Sequence, residues 1–166
     1  MTRVLTLSID AFTLTLGDGS TSRFAQNGYE RVISSTGETE YSLFGTPIDD
    51  GNLYESKFVW TLQAYVAVDQ WRILWGIFQR SERKRRNQQD YSITISDYVL
   101  PYIEDATTPS RSLASGGSIA TISGGGIAYP AVYKCRMFEP KAEESGSLRY
   151  KYLARFVLKE LDRVSA

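Results

Sequence analysis

The 166-residue chain has no histidine and a single cysteine. Histidine is the side chain whose ordinary pKa suits proton transfer near neutrality, and it is the commonest metal ligand. Its absence excludes Ser-His-Asp and Cys-His catalysis, and every His-based zinc or iron site, within this chain. Cys135 alone cannot make an internal disulfide, a thiolate zinc site or an iron–sulfur site. An excess of either charge is also missing, because 19 basic and 19 acidic residues cancel. General nucleic-acid binders carry a basic excess that neutralises phosphates, so that class is disfavoured. No apolar run approaches the ~18 residues of a membrane helix. Met1-Thr2-Arg3 leads into alternating Val4, Thr6 and Ser8, so neither a signal peptide nor a membrane anchor is expected. No cofactor and no metal is expected. Carboxylate-only chemistry, such as glycoside hydrolysis, stays open.

What is present is β-rich. Phe58, Trp60, Leu62, Ala64 and Val66 alternate with Lys57, Val59, Thr61, Gln63 and Tyr65, the period-2 pattern of a strand burying one face. Asp69 stands where a helix N-cap belongs. Trp71, Leu74, Trp75 and Phe78 then repeat at three- and four-residue spacing, a helical stripe predicted to lock the helix onto a sheet. The helix ends in Arg80, Arg83, Lys84, Arg85 and Arg86 against Glu82. Cations near a helix C-terminus favour the dipole, but five exceed what capping requires. An acidic patch on a neighbouring copy, such as Glu139, Glu143 and Glu144, fits them, so Arg83, Lys84, Arg85 and Arg86 are predicted to form a subunit interface.

Shorter β runs precede this unit: Val4 with Thr6, then Phe12, Leu14 and Leu16, closed by Gly17-Asp18-Gly19-Ser20 turn chemistry. A turn is predicted at Asn27-Gly28, then a short strand. Residues 34–52 are polar and turn-rich and read as an extended loop with a short extended piece at 41–44. Tyr91, Ile93 and Ile95 begin another strand, broken by Pro101. Residues 106–127 are rich in Ser, Thr, Ala and Gly. They are expected to bury little and to be mobile or draped over a neighbour. Residues 131–138 and 148–158 alternate over long runs and read as an antiparallel hairpin joined by an acidic connection at 140–147. The fold class is therefore α+β, mainly β: a single domain over 1–166, an antiparallel β-sandwich or half-barrel with one flanking helix.

Several local patterns carry chemistry elsewhere. The glycine-rich stretch lacks the Gly-Lys-Ser/Thr ending of a phosphate loop. Ser81-Glu82-Arg83-Lys84 matches Ser-x-x-Lys without its companion motifs. Asp49 with Asp50, or Asp97 with Glu104 and Asp105, offer carboxylate pairs at no fixed distance. Asp49-Asp50-Gly51-Asn52 lacks the ligand ladder of a calcium loop. No catalytic residue is assigned from these patterns.

Phe24 through Gly28-Tyr29-Glu30-Arg31 resembles the Arg-Phe-Gly-Asp-Gly-Tyr-type motif of M-type minor tail proteins from lambda-like phages. The 58–66 strand running into the 69–86 helix is similar to that family's central strand and helix. The closing 149–158 strand, with Arg-Phe-x-Leu-Lys-Glu, is similar to its final strand. Residues 34–52 and 106–127 depart from the compact family pattern. The resemblance implies a non-enzymatic tail-tip or baseplate subunit related to distal tail proteins, with a tail-tube-like fold. It implies assembly as a ring, six-fold in many such proteins, between tail tube and adsorption apparatus, with tail-tube, tip and hub proteins as neighbours. DNA would pass through the lumen only as cargo, and the location would be the virion, assembled in the host cytoplasm. Two rival readings remain: a glycan-binding β-sandwich using Tyr98 and Tyr102 as a sugar platform, and a nucleic-acid-associated protein using the 80–86 cluster.

Overall fold

The structure is a computed structural model that describes residues 3–34, 39–49 and 57–161. Its strands are β1 (Leu5–Ile9), β2 (Phe12–Leu16), β3 (Ser22–Ser34), β4 (Thr39–Tyr41), β5 (Pro47–Asp49) and β6 (Lys57–Val66). After the helix α1 (Val68–Arg86) come β7 (Ile93–Glu104), β8 (Ala120–Thr121), β9 (Ile127–Met137), β10 (Lys141–Glu144) and β11 (Tyr152–Glu160). One antiparallel sheet runs β2-β1-β7-β9-β11-β6-β3, with β8 on β9 and β10 on β11, while β4 and β5 form a separate hairpin. No helix among the described residues is long and apolar enough to cross a membrane.

The connection between β2 and β3 forces this sheet to curl. Laid flat, seven strands about 4.8 Å apart would put the outermost pair ~29 Å from each other. The chain from Leu16 to Ser22 reaches at most about 20 Å, yet β2 and β3 are those two strands. The Gly17 amide donates to Ser22 Oγ at 3.0 Å, and that hydroxyl donates to the Thr15 carbonyl at 3.1 Å. The sheet is thus a half-barrel, one of the two architectures expected.

Alternation then sets the core. Leu5, Leu7, Trp60, Leu62, Ala64, Val66, Ile93, Ile95, Tyr133, Cys135, Ala154 and Leu158 are all fully buried on the concave face. Helix α1 leans against β2, β1, β9 and β11. Its buried positions are Leu74, Ile77 and Ser81, with Trp71, Ile73 and Phe78 half-buried beside the core. Trp75 is instead flanked by Trp71 and Phe78, at ring separations of 5.9 and 5.3 Å. At ~100° per residue, the seam through 74, 77 and 81 leaves position 75 on the shoulder. Ala67, not Asp69, is the N-cap; Asp69 lies inside the first turn and pairs with Arg72 at 3.3 Å.

Two expected breaks are wide bulges inside long strands. Five steps of β3, from Phe24 to Tyr29, oppose two of β6, from Ala64 to Leu62. Asn27 takes a φ of 55° there, and a Cβ on Gly28 would lie 2.2 Å from the Gln63 carbonyl oxygen. Five steps of β7, from Asp97 to Tyr102, likewise oppose two of β9, and Pro101 sits in this unpaired stretch where its missing N–H costs nothing.

The serine- and glycine-rich segment buries little, as expected, yet part of it bonds to its own chain. β11 pairs with β9 only from Met137 to Cys135. Beyond that point Val132 donates to the Ser112 carbonyl and Ala114 donates to the Pro130 carbonyl, both at 2.9 Å, and β8 continues along Ile127 and Ala128. Arg111 and Ala114 are buried. The predicted closing hairpin also differs in detail. The acidic connection is itself a strand, β10, paired with β11, and residues 148–151 lie outside the strand. In the 34–52 region the extended piece is the β4–β5 hairpin; Asp50 lies outside the described residues.

Candidate interaction site: an aromatic cleft above two buried ion pairs

The bulges in β3 and β7 bring together residues that the sequence keeps far apart. Alternation along β3 after its bulge turns Tyr29 and Arg31 inward, while Asp97 is the last inward residue of β7 before its own bulge. The Asp97 carboxylate is completely buried. Its Oδ2 accepts from the Tyr29 hydroxyl, from Arg31 Nη1 at 3.0 Å and from Trp60 Nε1 at 3.1 Å. Its Oδ1 accepts the bulge amides of Val99 and Leu100 at 3.0 and 3.3 Å. Arg31 continues outward to the Leu100 and Pro101 carbonyls at 2.8 and 2.9 Å. One arginine and one aspartate therefore satisfy four main-chain polar groups of the β7 bulge, the Val99 and Leu100 amides and the Leu100 and Pro101 carbonyls.

A second pair lies beside the first. Arg111, from the segment after β7, donates to Glu160 at the end of β11, and the same carboxylate accepts the Phe58 amide at 2.9 Å. The Arg111 guanidinium stacks 4.8 Å from the Tyr102 ring and 5.0 Å from Tyr133, and Arg31 lies 4.8 Å from Phe58. Phe58, Tyr102, Tyr129, Tyr133 and Trp60 meet edge-on or tilted at 4.9 to 6.0 Å. Burial, and then the Asp97 charge, push the Tyr29 hydroxyl well above its ordinary value, so it stays a donor. Burial raises Tyr133 in the same way.

Above this layer opens a cleft of about 440 Å³. Phe58, Tyr102 and the two arginines form its floor; Ile33, Leu100, Pro101 and Ile103 form its rim. Ile33 and Ile103 are 59% and 62% exposed, although both sit in strands. A carboxylate offers about four lone-pair sites, and Asp97 already accepts five donors. The two arginines are balanced by two carboxylates. The floor is therefore charge-neutral, an aromatic seat with an apolar lip in which the Asp97 acceptors are filled, while Arg31 Nε and Arg111 Nε are buried without a hydrogen-bond partner among the described residues.

The residues singled out in the sequence lie elsewhere. In the basic cluster, Arg80 and Lys84 both pair with Asp10 of the β1–β2 turn at 2.6 Å, and Arg85 pairs with Glu82 at 2.8 Å. Two of the four predicted interface cations, Lys84 and Arg85, thus have partners in their own chain. Arg83 and Arg86 have no carboxylate within ion-pair distance among the described residues. Hydrogen bonds from Lys84 and Arg80 hold the Asp10 carboxyl below its ordinary value. Ser81 donates to the Tyr91 carbonyl at 2.7 Å and is buried, so Ser-x-x-Lys is a helix-docking contact here. Tyr102 is folded into the cleft floor and Tyr98 donates to the Ser115 carbonyl at 2.6 Å, so the two rings do not form a shared platform. Glu104 caps Ser110 at 2.8 Å instead of pairing with Asp97. Among the described residues no three acidic or cysteine side chains converge as a metal site.

Arg31, Asp97, Arg111 and Glu160 were not singled out as an interacting set from sequence. Asp97 was noted only with Glu104 and Asp105, as one of several acids at no fixed distance. Arg111 had no comparable signal, because its surroundings read as low complexity. Comparison with known protein families, with characterised proteins and with solved structures found no match to this chain.

Proposed function

We propose that this protein is a non-enzymatic structural subunit that assembles with copies of itself into a ring, of the kind that continues a phage tail tube toward its adsorption apparatus. The observation that carries this reading is the unfinished half-barrel. Among the described strands β3 ends the sheet, 13 residues long and unpaired on its far side, with Val32 and Ile33 exposed near its end. Long bare edges are templates for pairing, and closed rings of identical subunits remove them. The buried polar layer agrees with a load-resisting part, since both of its carboxylates, Asp97 and Glu160, are engaged in bracing the mouth of the half-barrel. The resemblance to M-type minor tail proteins supplies the place in the tail, with tube and hub proteins as neighbours and DNA as cargo in the lumen. Arg83 and Arg86 are the cations left for contact with the next subunit.

Negative-stain electron microscopy and sedimentation velocity test this directly. Ring particles, or a sedimentation coefficient that climbs with concentration to a discrete oligomer, are the expected outcome. A species that stays monomeric up to the solubility limit overturns the proposal.

A further inference from the structure

The β4–β5 hairpin carries an apolar tip that no described residue of its own chain covers. Leu43 and Phe44 are 101% and 96% exposed. The tip is nevertheless ordered by its own hydrogen bonds: Ser42 donates to the Thr46 carbonyl, and Gly45 donates to the Ser42 carbonyl, both at 2.8 Å. Turns are ordinarily polar, and full burial of a Leu or Phe side chain is strongly favourable. A structured turn that displays two such side chains is preorganised to insert them into something, with little further loss of entropy on binding.

The same chain holds the complementary feature. The cleft rim of Ile33, Leu100, Pro101 and Ile103 is apolar and open, and its floor is aromatic. Charge points the same way. Residues 34–56 contain five acids (Glu38, Glu40, Asp49, Asp50, Glu55) and no lysine or arginine. Since the whole chain has 19 of each sign, the remainder holds 14 acids against 19 bases, +5 set against −5 for this segment.

We infer that the Leu43–Phe44 tip of one subunit inserts into the Phe58–Tyr102 cleft of a neighbouring copy, as the specific contact that links subunits. This rests on the reading of the chain as a self-assembling subunit and names where two copies join. A knob-and-cleft contact is heterologous, so repetition closes a ring when the rotation permits. Strand β3 ends at Ser34 and β6 begins at Lys57, so the chain that carries the hairpin leaves and re-enters the sheet beside Ile33 and Phe58, two residues of its own cleft. Each copy can therefore give a tip and receive one.

Cysteine cross-linking tests the contact, because the only native thiol, Cys135, is fully buried. Chains carrying Leu43→Cys are mixed with chains carrying Ile103→Cys under mild oxidation. A mixed disulfide dimer is expected, formed at least tenfold faster than dimers from either variant alone. In parallel, Phe44→Asp is expected to weaken self-association at least tenfold by sedimentation, with an unchanged thermal midpoint. If Phe44→Asp assembles like the parent and no mixed dimer forms, this contact is wrong while the subunit reading stands. If a Leu43→Cys/Ile103→Cys double variant closes only within one chain, the tip is seated in its own cleft and the inference falls. A parent protein that stays monomeric and gives no mixed dimer overturns both.

Discussion

Arg31 and Asp97 join strands β3 and β7 at 3.0 Å, although three other strands separate them in the sheet. The pair is a strut across the concavity, buried to 5% and 0% side-chain exposure. A lone buried charge is far more costly than a buried pair, and removing one partner of such a pair typically costs about 3–5 kcal/mol. Asp97→Ala is therefore expected to lose stability on that scale in urea unfolding, since it also strands Trp60 Nε1 and two bulge amides. The double variant Arg31→Met/Asp97→Leu is expected to lose less than the Asp97→Ala single. A double variant as unstable as that single would show that the bulge amides, and not the charge, dominate.

Arg111 and Glu160 hold the serine- and glycine-rich segment against β9 where β11 stops. Arg111→Ala leaves Glu160 buried with the Phe58 amide as its remaining hydrogen-bond partner among the described residues. The expected result is local before it is global: hydrogen exchange at Ala114 and Val132, whose amides bridge segment and strand, speeds up by ten-fold or more. Exchange within α1 is expected to stay near the parent rate, because the helix packs mainly on β2 and β1, away from the segment. Uniform acceleration everywhere would mean that the segment is not a separate unit of stability.

The parts legible in the sequence were those set by short-range periodicity. Alternation from Phe58 to Val66 and from Tyr133 to Met137 marked buried faces correctly, because a sheet covered on one side enforces a two-residue repeat. The half-barrel was one of two architectures considered, and the β2–β3 connection that decides between them only becomes decisive once strand order is known. Bulges were misread as ends. Asn27-Gly28 and Pro101 are turn signals in any local window, and only pairing with β6 and β9 shows that the strands run on through them. The ion-pair layer was invisible for a similar reason: Arg31 and Asp97 are 66 residues apart, and Arg111 and Glu160 are 49 apart. Composition was right that most of 106–127 stays outside the core, where only Arg111, Ala114 and Ile127 are buried, but it gave no sign that the segment bonds to β9 of its own chain.

Gly28 offers a sharp test of the β3 bulge. A methyl group there would lie 2.2 Å from the Gln63 carbonyl and 2.8 Å from the Ala25 backbone. Both neighbours are main chain, so neither can swing aside. Gly28→Ala is expected to cost at least about 2 kcal/mol, and to lower the thermal midpoint by roughly 4–8 °C for a chain of this size. Gly19, with open space around its Cβ position, serves as the comparison: Gly19→Ala should cost only the roughly 1 kcal/mol of a strained left-handed backbone. Equal losses at both sites would mean the bulge relaxes freely.

Asp18 makes acid stability a local readout of the corner where the barrel curls. Partial burial works against its charge, but amides of Thr21, Ser22 and Ser20 and the Thr21 hydroxyl all donate to it. Together they lower its carboxyl from 3.8 to about 2. A carboxyl depressed in the folded state contributes stability above its unfolded pKa and loses it as pH falls through the folded one. The contribution is therefore whole above about pH 4 and fades between about pH 4 and 2. Asp18→Asn keeps an acceptor for the turn but cannot titrate. It is expected to unfold at lower urea than the parent at pH 6, and the two midpoints should converge as pH falls toward 2. Midpoints that stay parallel across this window would place the corner's stability in the Gly17–Ser22 backbone contacts instead of in the charge.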